Sequence, residues 1–188
     1  MEQVVYEVYK FVFNPISVLI ICVACFWFAA NHRNFFSVLI ILSLIKVIDV
    51  LANKFLLGPN WVAYYSFYIA LDFITILCLI FREAITNRFF TSLVYQRIFA
   101  EYVLIGIYAL SILYNIPTFI EQWTRKTPYI LNYLYSQGLT SPPMFFYDHY
   151  VMFKGALGTF EHFIIVFLAF QSAKISQAKL RRQTKDGV

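Results

Sequence analysis

The chain has 188 residues, 61% of them hydrophobic, 20% aromatic and 13% charged, with a mean hydropathy of +0.67 and a formal net charge of +5. Soluble domains carry about 45–50% apolar and about 25% charged residues, so a soluble globule of this size is excluded: it could not cover so much apolar surface. The composition points to an all-α, polytopic membrane bundle.

A helix crosses the hydrocarbon core in about 20 mostly apolar residues, and the sequence offers five such stretches. The first is 11–30 (FVFNPISVLIICVACFWFAA), broken by Asn31, His32, Arg33 and Asn34. The second is 35–57, ended by the turn formers Gly58, Pro59 and Asn60. The third, 61–81, opens on Trp61, Tyr64 and Tyr65, in the manner of an interfacial aromatic belt. A polar connection follows at 82–88. Residues 89–116 exceed one span; 89–99 reads as partly interfacial and 98–116 as the fourth crossing, closed by Pro117. Residues 117–149 read as a long outer loop rich in Tyr, Phe, Trp and Leu, within which 129–135 has helical spacing suited to a membrane surface. The fifth span is 150–173, weakened by Lys154, Glu161 and His162, and 174–188 is a basic tail. The expected organisation is one bundle domain, 1–173, followed by that tail.

Lys and Arg in short loops set orientation. With the tail inside, the inner segments hold Arg33, Arg82, Arg88, Arg97, Lys174, Lys179, Arg181, Arg182 and Lys185, against Lys10, Arg125 and Lys126 outside. That bias predicts the N-terminus outside and the C-terminus in the cytoplasm of a plasma membrane, a bacterial inner membrane being the closest fit. The acidic start (Glu2, Glu7) lacks the basic region of a cleaved secretory signal. If the first or fifth span fails, four helices remain and one end changes side.

The net charge is no nucleic-acid signature, because the basic residues gather in the tail KISQAKLRRQTK. There they suit contact with anionic lipid, at about 1 kcal/mol per charge, or docking of a cytosolic partner. Cys22 and Cys25 form C-x-x-C among Ile, Val and Phe; with Cys78 they read as small buried hydrophobes rather than a redox pair. His32, His149 and His162 show no ligand-like spacing, so neither haem nor zinc is expected, and no cofactor is. Phosphate-loop, dinucleotide, zinc-protease and nucleophile-elbow motifs are missing from the sequence, as is any transporter-like internal repeat, and no enzyme activity is expected.

The charges inside the spans carry the functional signal. An ionised residue at mid-bilayer costs about 2.5–3.5 kcal/mol on insertion scales and persists by facing protein or water. In the second span Ser43, Lys46, Asp49 (or Val50) and Asn53 recur at helical spacing; in the third, Tyr65, Tyr68, Asp72 and Thr75 do the same. At 1.5 Å per residue, Lys46 and Asp72 each lie about 18–20 Å from the turn between these spans, near mid-membrane. They are expected to face each other. Glu161, with His162 beside it, falls near mid-depth in the fifth span. Glu101 is expected to pair with Arg97 one turn away, while Lys54 and Lys154 snorkel outward. Lys46 then stands against Asp49, Asp72 and Glu161, so either one carboxyl holds a proton or a cation or water-filled path is present. The same groups also suit a register device between helices.

Two functions follow. One is an oligomeric channel or carrier for protons, cations or a small polar solute, using Lys46, Asp49, Asn53, Asp72, Glu161 and His162. Gly155, Gly158, Gly106 and Ala109 permit close helix approach, and so slim a bundle is expected to form a homo-oligomer around any wide path. The other is a non-transporting membrane subunit that binds partners or lipid through Trp123, Tyr129 and Tyr133 of the outer loop or Lys179, Arg181 and Arg182 of the tail. Size and layout alone are similar to those of small bacterial inner-membrane proteins, including small channels, bacteriocin immunity proteins and membrane subunits of phage-defence systems.

Overall fold

The structure, a computed structural model, describes residues 19–25, 33–55, 61–89, 98–138 and 145–186. Most of the expected first span, the 56–60 turn and Arg97 lie outside the described residues, as do the side chains of Asn53, Lys179, Arg181 and Arg182. Among the described residues all regular structure is helical, with no strand. A helical stretch at 19–25 precedes α1 (Arg33–Phe55), α2 (Trp61–Ile80), α3 (Arg82–Phe89), α4 (Phe99–Lys126), α5 (Pro128–Ser136), α6 (Phe145–Asp148) and α7 (Tyr150–Asp186).

Four of these helices, α1, α2, α4 and α7, are long and apolar enough to cross a membrane. Helices suit that solvent because each satisfies its backbone hydrogen bonds internally. Their outward side chains include Leu44, Phe73, Leu113, Phe160, Phe163 and Phe170, all exposed. Apolar side chains thus cover the outside, while the interior holds both an apolar core and a set of buried hydrogen-bonding groups.

The four helices close into a ring in the order α1, α2, α4, α7, with α7 returning to α1 and the α2–α4 seam the most extensive. Contacts between facing residues fix an up-and-down arrangement. Tyr68 reaches Asp49, and Arg82 reaches Ser37, so α1 and α2 run antiparallel. Asp72 meets Ser111 and Arg82 meets Glu101, and Tyr108 meets Glu161 while Ser111 meets Lys154, so α2 against α4 and α4 against α7 do likewise.

The interior is layered along the axis. At one end Arg82, fully buried, donates from Nη1 to Ser37 Oγ at 2.6 Å and pairs through Nε with Glu101 Oε1. Glu101 Oε2 also accepts the Ile98 N–H at 3.0 Å, so one carboxylate starts α4 and neutralises the guanidinium. Next comes a close-packed apolar layer containing Leu42, Leu79, Leu104, Ile165 and Leu168. Beyond it, toward the end where α2 and α7 begin, the interior turns polar.

Two expectations about elements need correcting. Pro117 does not close the fourth crossing: α4 continues through it to Lys126. Proline removes one i→i−4 bond, a loss that membrane helices absorb locally. The outer loop expected at 117–149 is correspondingly helical over most of its described length, in the end of α4, in α5 and in α6. The tail is helical too, since α7 runs on to Asp186.

Candidate functional site

The polar part of the interior surrounds a pocket of about 330 Å³ lined by all four long helices. α1 contributes Ile45, Lys46 and Asp49; α2 contributes Tyr64, Tyr68, Leu71 and Asp72. α4 adds Ile107, Tyr108 and Ser111, and α7 adds Tyr150, Val151, Lys154, Leu157, Gly158 and Glu161. Gly158 brings no side chain to the wall.

Each charge in the pocket has a partner on another helix. Lys46 Nζ lies 3.0 Å from Glu161 Oε2, and the other oxygen of Glu161 accepts from the Tyr108 hydroxyl at 2.5 Å. Asp49 Oδ1 accepts from the Tyr68 hydroxyl at 2.8 Å. Asp72 Oδ2 is the most heavily used acceptor. Lys154 Nζ stands 3.7 Å from it, Asn115 Nδ2 donates to it at 3.2 Å, and the Ser111 hydroxyl bonds it directly. Lys154 also donates to Ser111 Oγ, so Lys154, Ser111 and Asp72 form a continuous chain.

Lys46 and Asp72 therefore line one pocket but do not pair with each other as expected. Lys46 takes Glu161 and Asp72 takes Lys154, because α7 packs between α4 and α1 and brings both a carboxylate and an ammonium to the axis. Lys154 does not snorkel outward: its Nζ sits among Asp72, Ser111 and the rings of Tyr68 and Tyr150, with centroids at 5.7 and 6.0 Å. The pocket thus holds two cations against three carboxylates, not one against three. Glu101 pairs with Arg82 rather than with the expected Arg97, and lies outside the pocket.

His162 stands beside the site rather than in it. Its Nδ1 is 2.5 Å from the Gly158 carbonyl, which only accepts, so the ring proton belongs on Nδ1; Nε2 is buried and makes no hydrogen bond. Trp123 is half exposed on α4 and meets Phe119 edge-on at 5.7 Å. Tyr129 and Tyr133 are exposed on α5, a helix with no buried residue. Near them Glu121 holds α6: its two oxygens accept the N–H groups of Phe146 at 3.1 Å and Tyr147 at 2.8 Å. Among the described residues no group of His, Cys, Asp and Glu is arranged to hold a metal ion.

The sequence reading missed Arg82, Tyr108, Ser111, Asn115 and Lys154 as partners. A signal for most of them was present. Glu101, Leu104, Tyr108, Ser111, Asn115, Thr118 and Gln122 alternate at spacings of three and four, and all are buried on one face of α4. This seam is polar at every step but Leu104. A stripe of hydrogen-bonding groups along a membrane helix marks the side turned from lipid.

Four apolar helices around a polar axis are the build of a multi-pass membrane protein. Comparisons with protein-family models, curated proteins and solved structures find no match to this chain.

Proposed function

We propose that the protein is a carrier that takes a small polar solute or cation into the axial pocket and passes it across the membrane. The observation behind this reading is the pocket itself: about 330 Å³ of space among five charged side chains from three helices, Lys46, Asp49, Asp72, Lys154 and Glu161. Ligand pockets begin at roughly 300 Å³. A carrier suits the layout better than an open channel, because buried leucines and then the Arg82–Glu101 pair fill the axis at one end.

The distribution of Lys and Arg supports placing the Tyr64 and Tyr150 end outside and the Arg82 end in the cytoplasm of a plasma membrane. Residues 11–30 would supply a fifth span. One chain suffices to build the pocket, so the expected homo-oligomer is a separate proposal.

The test is uptake into proteoliposomes of protons, K⁺ and a labelled panel comprising an amine, a zwitterion, a carboxylate and a polyol. Uptake of one of these by wild type, lost in a folded Asp72→Asn variant, is the expected result. Uptake no faster than in empty liposomes across the panel, or undiminished in Asp72→Asn, rejects the reading.

A second reading is favoured by α5, whose Tyr129, Tyr133 and Tyr135 are all exposed. In it the protein is a non-transporting subunit that binds a partner there. Replacing residues 131–138 would then abolish co-purification of the partner in mild detergent and leave the pocket intact.

A further inference from the structure

We propose that the buried polar seam of α4 from Gln122 to Asn115 holds a file of water molecules that joins the axial pocket to the Tyr64 and Tyr150 end of the bundle. The inference goes beyond the carrier reading: it names a way into the pocket, and the file stands or falls without transport.

Two amide oxygens carry the argument. Among the described residues Asn115 Oδ1 and Gln122 Oε1 are buried and accept no hydrogen bond. The two residues are almost wholly enclosed, at 0% and 3% exposure. Turning the Asn115 amide does not cure this. Its Nδ2 donates to Asp72 Oδ2 at 3.2 Å, and a flip would set carbonyl oxygen against carboxylate. Thr118, also buried, lies between them; its hydroxyl donates to the Tyr114 carbonyl at 2.8 Å, which leaves the oxygen able to accept. Buried polar groups in native proteins are paired, with protein or with ordered water. Acceptors on one helix face that no described residue supplies with a donor are therefore met by water.

Spacing makes that water a file. Asn115, Thr118 and Gln122 recur at three and four residues, so they stack along one face of α4. At 1.5 Å per residue the two amides stand about 10 Å apart along the axis. A hydrogen bond to water spans about 2.8 Å, so no single molecule reaches both, while about three in line do, with Thr118 midway. Below, the file meets the pocket: Asn115 shares Asp72 Oδ2 with Ser111, and both Ser111 and Asp72 line the cavity. Above, it meets the bundle end, since Gln122 is one turn from Lys126, where α4 stops. α2 runs antiparallel with Asp72 level with Asn115, so Tyr65, seven residues before Asp72, is level with Gln122, seven residues after Asn115. A buried phenol thus stands at the height of the upper amide.

The experiment is labelling with a charged methanethiosulfonate in lipid nanodiscs, where both faces are open, with each adduct located by peptide mass. Thr118→Cys and Gln122→Cys are made in the otherwise natural chain, and Ile116→Cys, at an exposed outward position of α4, is the lipid control. The reagent attacks the thiolate, which forms in water and is suppressed in apolar surroundings. Both seam thiols are expected to react roughly tenfold or more faster than the Ile116→Cys thiol. Cys22 and Cys25, buried in the apolar core, are expected to be as slow as that control. Thr118 is fully buried, so the unsubstituted protein supplies a second reading that needs no variant to fold. In solid-state NMR, magnetisation from water is expected to reach the side chains of Asn115 and Thr118 and not that of Leu104. A Thr118→Cys thiol no faster than Ile116→Cys, or water transfer to Asn115 and Thr118 no stronger than to Leu104, overturns the inference. So does reaction at Gln122→Cys alone, which would put water at the mouth only. Labelling at both positions with no uptake of any solute keeps the file and rejects the carrier. Uptake with neither position labelled keeps the carrier and rejects the file.

Discussion

Lys46 and Glu161 meet 3.0 Å apart on helices 115 residues distant in the sequence, and Tyr108 takes the second carboxylate oxygen. A buried pair of this kind contributes little against two apolar residues, but removing one partner strands the other charge, at about 3–5 kcal/mol. Lys46→Met is therefore expected to lower stability by about that much in detergent unfolding, and Lys46→Met combined with Glu161→Gln to recover most of the loss. A double-variant loss equal to the sum of the Lys46→Met and Glu161→Gln losses would show that the pair is not coupled. Asp72 differs, since Lys154, Ser111 and Asn115 share it. The charged positions were legible in the sequence, because a Lys or Asp inside an apolar run stands out. Their partners were not: three acids and two cations allow several pairings, and only the placement of α7 selects among them.

Two carboxylates act on whole elements. Glu121 binds the first N–H groups of α6 and fixes the segment leading into α7. Hydrogen bonds to a charged group contribute about 1.5–3 kcal/mol each. Glu121→Ala should speed amide exchange over residues 145–149 by at least about tenfold, while Glu121→Gln, which keeps one acceptor, should do so less. Unchanged exchange in Glu121→Ala would mean that α6 is held by packing, for instance by Tyr114, which stacks on Phe153 at 4.0 Å and donates to the Phe146 carbonyl. At the other end Arg82 joins the starts of α1, α3 and α4 through Ser37 and Glu101. Arg82→Met is expected to cost about 3–5 kcal/mol by thermal unfolding, and Arg82→Met with Glu101→Met much less than the sum of the two single variants. Additive losses would contradict a coupled lock. Arg82 looked like a loop residue because it follows the third apolar run directly. Its burial depends on the ring closing around it.

For the whole molecule, the ring of α1, α2, α4 and α7 turns a polar seam inward and apolar rings outward. The Lys and Arg distribution predicts that a tag placed after Val188 lies on the cytoplasmic side; protection of that tag from protease in intact cells, and its cleavage after the membrane is opened, would agree. Cleavage in intact cells would reverse the orientation and put the tyrosine end of the pocket inside. By itself the sequence determined the solvent and the element type, since apolar runs of about 20 residues have few fates other than membrane helices. It also marked the charged stripes of α1 and α2, because helical period is a local property. Only the tertiary structure decided that Lys154 turns inward, that Glu161 takes Lys46, that Arg82 takes Glu101 and that Pro117 leaves α4 unbroken. Each of those outcomes depends on which helix stands beside which. That is a choice made by packing across the bundle, among residues that the chain keeps far apart.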